Sequence, residues 1–322
     1  MPSAAAAGLK AVGITAKLVG EMGLTRGVRA LLDVNQANGV DCQSCAWPSP
    51  DGDRHTFEFC ENGAKAVADE ATLQRADRAF FAAHSVTALA AESDHWLNAQ
   101  GRLTEPLVLR PGATHYAPIA WDEAFALIAA ELRALPTPNA AAFYTSGRTS
   151  NEAAFLWQLF ARQFGTNNLP DCSNMCHESS GAALSESIGI GKGTVKLEDF
   201  NHADAIFVIG QNPGTNHPRM LSALEGAKAR GAKIVSINPL PEIGIERFKN
   251  PQDFMHPIKA FKTLLGDGAR LSDLWLQPRI GGDLALLKGL MKEMLEAEET
   301  RPGEIFDHEF IREHTEGLES LA

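Results

Sequence analysis

Hydrophobic and polar positions along the chain fall into two successive rhythms. Near the start, GVRALLDV sets its apolar residues on one helical face, and Asn38-Gly39 supplies a stop. WPSPDGDRH is turn-forming, and residues 61–72 return to a helix-like pattern. RLTEPLVLRPGATHYAPIAWDEAFALIAAEL predicts a short strand, a Pro-Gly turn and an amphipathic helix from near Trp121. Asp122 and Glu123 fall in that helix's first turn, where the helix dipole favours negative charge.

From residue 139 the rhythm becomes strand–loop–helix. AAAFY predicts a short buried strand and TSGRTSN its loop. EAAFLWQLFARQF is a helix with Phe155, Leu159 and Phe164 at helical spacing, ended by Gly165. DAIFVIG, QNPGTNHP, RMLSALEGAKAR and KIVSINP then predict a βαβ unit on a parallel sheet. DLWLQP is a further candidate strand, followed by RIGGD and the helix LALLKGLMKEML. The expected fold class is α/β. Residues 1–39 form a helical extension, read as a solvated amphipathic arm. Residues 40–120 are loop-rich and carry three cysteines, and residues 121–322 form Rossmann-like parallel-sheet units.

Composition narrows the partners more than the fold. With 322 residues, 44% of them hydrophobic, the chain can bury one or two cores. A net charge of −11 disfavours a nucleic-acid partner. No apolar stretch is long enough to span a bilayer. Lys10 and Lys17 interrupt any signal-peptide core and no Arg-Arg pair is present, so the expected compartment is the cytoplasm. Five unevenly spaced cysteines, Cys42, Cys45, Cys60, Cys172 and Cys176, are a poor disulfide framework and agree with that compartment.

The loops after the predicted strands are rich in Gly, Asn and Pro and lead into helix N-termini, where backbone N–H groups can bind phosphate. Tight βα turns need the same residues for purely structural reasons. The G-x-G-x-x-G spacing is missing, which speaks against an ordinary NAD fold. Cys42, Cys45 and Cys60 form C-x2-C-x14-C, a spacing at which two thiolates chelate a soft metal from one turn. His55 lies between the last two and would complete a structural zinc site, which remains open. Cys176 adjoins His177 in SNMCHESSG. The plain account is a buried thiol beside a surface histidine; the sharper one is a thiolate ligand or nucleophile with a proton-transfer partner.

Several of these stretches together resemble one family. MCHESSGAAL looks like the segment of molybdopterin-dependent formate dehydrogenase alpha subunits that carries the metal-binding selenocysteine or cysteine and then a histidine. TSGRTSNEAAFLWQLFARQFGTNN resembles a nucleotide-side loop and helix of that family, and GQNPGTNHP its G-x-N-P-x-x-x-H-P loop. CENGAK and ADEAT are most similar to the YdeP-type branch, and the likeness runs from about Val40 to the last residue. The resemblance implies an oxidoreductase that moves two electrons to or from a small substrate at a Cys-ligated molybdenum. Cys176 would ligate the metal and His177 would accept or relay the proton. Arg148, Asn151, Gly210, Asn212, Pro213, His217 and Asn238 would line a bis(molybdopterin guanine dinucleotide) cofactor. Cys42, Cys45 and Cys60 would hold an iron–sulfur cluster of 4Fe-4S type, passing electrons to a carrier protein.

Departures from the pattern are specific. Ser49 stands where a third cluster cysteine is usual, Asn62 where a lysine often lies between cluster and pterin, and Glu178-Ser179 where Gly-Pro follows the histidine. Family chains are also much longer, so the expectation is the N-terminal portion of such a protein with an incomplete, C-terminally truncated core. The competing reading is a non-catalytic remnant that binds iron–sulfur or zinc through Cys42, Cys45 and Cys60.

Overall fold

The computed structural model describes residues 5–45, 47–170 and 177–321. Two separate hydrophobic cores organise most of what bears on function.

The first core is helical. Strand β1 (Ala6–Ala7) leads into α1 (Gly8–Met22), and Gly23, at φ 83°, turns the chain into α2 (Leu24–Asp33). Helix α3 (Glu61–Ala71) packs on both. Leu18 and Met22 of α1, Leu31 of α2, Val34, and Ala64, Val67 and Ala68 of α3 are buried together. Arg26 ties the bundle at one end, donating to the carbonyls of Met22 and Ala71. This satisfies two carbonyls left open by the helix ends. The amphipathic stripe of residues 24–33 is therefore not a solvated arm. Leu31 and Ala30 pack into the cluster that α1 and α3 complete, which local periodicity could not reveal, while Leu24, Val28 and Leu32 stay exposed.

The second core belongs to a parallel sheet. Strands β2 (Ala205–Ile209) and β3 (Lys233–Ile237) pair in parallel and are joined through helix α7 (Met220–Ala229), as the βαβ pattern predicts. Downstream lie β4 (Arg247–Lys249), β5 (Ala269–Arg270) and β6 (Leu274–Leu276). The sheet order is β6–β3–β2, all parallel, with β2 at the edge. Val208, Ile234, Leu221, Leu224, Ile245, Phe248 and Leu271 form the buried cluster beneath one sheet face. On the other face of β2, Phe207 and Ile209 are exposed. A second small sheet has β4 in the middle, pairing parallel with β1 and antiparallel with β5, so the start of the chain is anchored on the α/β half.

Between these cores run α4 (Trp121–Arg133), α5 (Asn151–Phe164) and α6 (Glu178–Ile188); α8 (Asp283–Thr300) follows the sheet. The predicted caps are present. Asp122 and Glu123 occupy the first turn of α4, and Gly165 closes α5 at φ 109°. The predicted strand at AAAFY is not formed. Phe143 instead turns into a local aromatic cluster with Trp157, Phe160 and Phe164, and its N–H donates to Asn168 O, 2.8 Å away. The ring finds apolar contact on the next helix, and the backbone segment stays outside the sheet. Helices α4, α6 and α8 have no buried residue, and α5 buries only Ala161.

Candidate functional site

The loop that follows β2 is closely constrained by its neighbours. Gly210, at φ 67°, turns the chain out of the sheet while its N–H donates to Ile237 O at the end of β3. Asn238 follows at once and is held by its own N–H to Leu276 O of β6. Gly210 and Asn238 thus meet at the carboxyl end of the parallel strands, where open α/β sheets bind ligands. Pro213 is buried at the first position of the helical turn Pro213–Asn216, where its missing N–H costs nothing.

Asn212 and His217 flank that turn, both half-buried. The Asn212 amide donates to Glu242 Oε2 at 2.9 Å, but its Oδ1 has no partner. His217 packs edge-on to Trp47, and its Nδ1 is also without a partner. Among the described residues four buried side-chain atoms are orphaned in this way, and two of them lie in this one loop. The others, Ser236 Oγ and Trp275 Nε1, sit in register on neighbouring strands of the sheet. An unsatisfied buried acceptor costs roughly 1–3 kcal/mol, so a pair within six residues calls for polar partners that the described residues do not supply. The loop has little freedom to relieve the strain itself. A Cβ on Gly214 would lie 2.5 Å from Gly244 Cα, and one on Gly244 only 1.8 Å from Asn212 Oδ1. The two glycines let the loop and the turn Ile243–Glu246 touch backbone to backbone.

Cys42 and Cys60 form the second part of the site. Cys60 caps α3, its Sγ accepting from Gly63 N at 3.5 Å. A Cβ on Gly63 would fall 2.9 Å from Cys42 Sγ and 4.0 Å from Cys60 Sγ, so the absent side chain leaves the space that the two sulfurs share. Burial pushes the Cys60 thiol up to about 11, against the lowering effect of the Gly63 N–H. It is therefore protonated at neutral pH, and a metal there must displace a proton. Cys45 is half-buried on the same loop as Cys42, and His55 is exposed. Among the described residues no group of three or more His, Cys, Asp or Glu side chains is arranged to hold a metal ion. The donors fit a soft metal in kind, and two of the three sulfurs converge.

The two parts touch. Asn62, two residues after Cys60, donates through its amide to Thr215 O at 2.7 Å, joining the N-terminus of α3 to the loop after β2. Sequence reasoning noted Asn62 only as a departure and missed Glu242, Gly244 and Gly63. CENGAK held the signal for Gly63, but nothing local reveals the others.

The remaining predicted residues lie elsewhere. Arg148 is exposed, its N–H held by Ser146 Oγ at 3.2 Å, and Asn151 is the exposed first residue of α5. His177 is exposed at the start of α6. Cys172 and Cys176 lie outside the described residues. A cavity of about 1020 Å³ is lined by Trp47, Glu58, Arg219, Glu225, Asn250 and Lys259 among others. It meets the candidate site at Trp47, at His55 and at Phe59, which precedes Cys60. We place the site at the loop and the cysteines, because that is where the orphaned polar atoms and paired sulfurs lie.

Comparison with known proteins identifies the family. A family model described as molybdopterin oxidoreductase matches residues 102–299. An uncharacterized oxidoreductase of Mycobacterium tuberculosis is 56% identical over 315 residues, covering 98% of this chain and 40% of its own length. Protein YdeP of Escherichia coli K12 is 48% identical over 308 residues, covering 94% and 39% respectively. The F420-dependent formate dehydrogenase 1 subunit alpha of Methanococcus maripaludis is 30% identical over 221 residues, covering 68% and 28%. The chain thus spans about two fifths of the length of the first two relatives. No helix among the described residues is long and apolar enough to cross a membrane.

Proposed function

Since the chain belongs to the molybdopterin oxidoreductase family, which implies a molybdopterin cofactor, we propose that it holds that cofactor, in its guanine dinucleotide form, within a formate dehydrogenase-like enzyme of the cytoplasm. The supporting observation is the pair of orphaned buried atoms, Asn212 Oδ1 and His217 Nδ1, in the loop at the carboxyl end of the parallel strands. Asn212, His217 and Asn238 would hold the nucleotide side of the cofactor, with Gly210 giving close backbone approach. Arg148 and Asn151, at the N-terminus of α5, would contribute from the loop outside the sheet. Molybdenum bound by the pterin supplies a centre that takes two electrons from, or gives them to, a small substrate. Cys176 would provide its protein thiolate, since soft sulfur suits that metal. His177 would hold or pass on the substrate's proton, because imidazole exchanges protons near neutral pH.

Cys42, Cys45 and Cys60 would hold the iron–sulfur cluster through which electrons leave for a carrier protein. Asn62 spans the gap between that side and the nucleotide loop. Glu178 and Ser179 after the histidine leave the small substrate open, and formate itself is one candidate among several.

The chain expressed with molybdenum cofactor synthesis intact should carry pterin, molybdenum and iron. Asn212→Ala with His217→Ala should lower pterin content at least tenfold while leaving iron in place. Cys176→Ala should keep iron and pterin yet abolish reduction of an artificial acceptor. Zinc alone, bound stoichiometrically and lost on replacing Cys42, would replace this reading with that of a structural metal site.

A further inference from the structure

Asn35 belongs to no motif singled out in the sequence, yet it is the most heavily used polar residue near the cysteines. It is 4% exposed and adopts φ 57°, in the left-handed region that Asn tolerates better than most residues. Its side chain is spent entirely on two backbone groups. Oδ1 accepts from Cys42 N at 3.0 Å, and Nδ2 donates to Glu58 O at 2.7 Å. Its own N–H donates to Val40 O at 2.8 Å, and Arg54 donates to its carbonyl oxygen. One amide therefore spans the segment leading into Cys42 and the segment leading into Cys60. The second segment is fixed in turn: the Glu58 carboxylate accepts from His55 N at 2.9 Å and pairs with Arg219 on the α/β half, with both side chains nearly buried. Breaking such a buried pair by removing one partner is costly, so Glu58 is a firm anchor.

We propose that Asn35 is a positioning residue for the cysteine site: by clamping the backbone at Cys42 and at Glu58 it sets the spacing at which the Cys42 and Cys60 sulfurs face one another across Gly63. The inference rests on the reading that these cysteines hold a metal group. It adds that the site is built before the metal arrives, by a neutral amide that takes up the Cys42 N–H. Ligand preorganisation by groups just outside the metal's own ligands is worth 10–100-fold in affinity in comparable sites.

The test uses the full chain, metal-free and reduced, with cobalt(II) alone as the probe and its thiolate-to-metal absorption as the signal. Asn35→Gly is the informative variant, because glycine accepts the left-handed backbone and only the amide is lost. It should weaken cobalt binding at least tenfold and alter the thiolate band, a change that a general loss of stability would not produce. Asn35→Asp keeps the acceptor for Cys42 N–H and should recover part of both, and it carries the test should the glycine variant fail to fold. Wild-type affinity and an unchanged band in Asn35→Gly, or in Asn35→Asp with the Glu58 link lost, overturn the proposal. Should the unaltered chain bind no cobalt, the metal reading fails, and Asn35 is judged on alkylation of the free thiols. Cys42 and Cys60 reacting several-fold faster in Asn35→Gly (or, if that variant fails to fold, in Asn35→Asp) sustain the clamp, and equal rates refute it.

Discussion

Two loops of nearly the same character lie in this chain, TSGRTSN before α5 and GQNPGTNHP after β2. Both are rich in Gly, Asn and Ser or Thr, and both lead into a helix. The second is braced on three sides: by Gly244 against Gly214, by Asn62 on Thr215 O, and by Trp47 beside His217. The first is exposed, and nothing lies within 4 Å of where a Cβ on Gly147 would stand. Composition fits a loop for ligand contact, but only contacts distant in sequence hold it in a shape. Where the preceding strand joins a sheet, as β2 does, that bracing follows. Where it does not, as at Phe143, the loop is left to its own turns.

Substitutions can widen or erase this contrast. Leu224→Ala, beneath the sheet that carries the braced loop, should cost about 3 kcal/mol, whereas Phe155→Ala on α5, 62% exposed, should stay within about 0.5 kcal/mol. Urea midpoints compare the two, and equal losses would mean that α5 is as well packed as α7. Gly244→Ala should cost about 2 kcal/mol, because the new methyl must expel the Asn212 side chain, while Gly147→Ala should be close to neutral. Pterin content should fall only in the first.

Alkaline pH supplies a third handle. The Cys60 thiol is raised by burial from 9.0 to about 11 in the fold, so the folded state keeps its proton while the unfolded chain loses it. Its contribution is intact below pH 9 and disappears as pH climbs toward 11, a loss on the order of 2 kcal/mol. Hydrogen exchange of the metal-free protein should quicken first in α3 and the loop tied to it through Asn62, and a Cys60→Ala variant should lack this step. Asn62→Ala removes one hydrogen bond and should cost about 1 kcal/mol. Its mark should be faster exchange around Thr215 with no change at residues 145–150.

Much of the α/β half could be read in advance because its signals are local. DAIFVIG and KIVSINP alternate with a helix of the right length, and the caps at Asp122, Glu123 and Gly165 announce themselves. That Gly210, Asn212, Pro213 and His217 lie in the loop after one strand and Asn238 at the end of the next was legible for the same reason. What escaped was everything built across distance. The apolar stripe of α2 needed α3, the Asn212 amide needed Glu242, and Cys42 needed Asn35 to bring it beside Cys60. AAAFY failed in the opposite direction. Its composition suits a buried strand, but the aromatic side of α5 offers Phe143 a nearer partner than any strand edge.

The glycine-to-glycine contact also has a mechanical side. Gly244 sits just ahead of β4, and β4 is the strand on which Ala6 and Ala7 are laid down. Backbones in direct touch have no side chain between them to absorb a displacement. A displacement of the Asn212 side chain would press on Gly244 and so on the strand that pairs with Ala6 and Ala7, and a reporter dye near Ala6 reads whether events in the distant loop reach it.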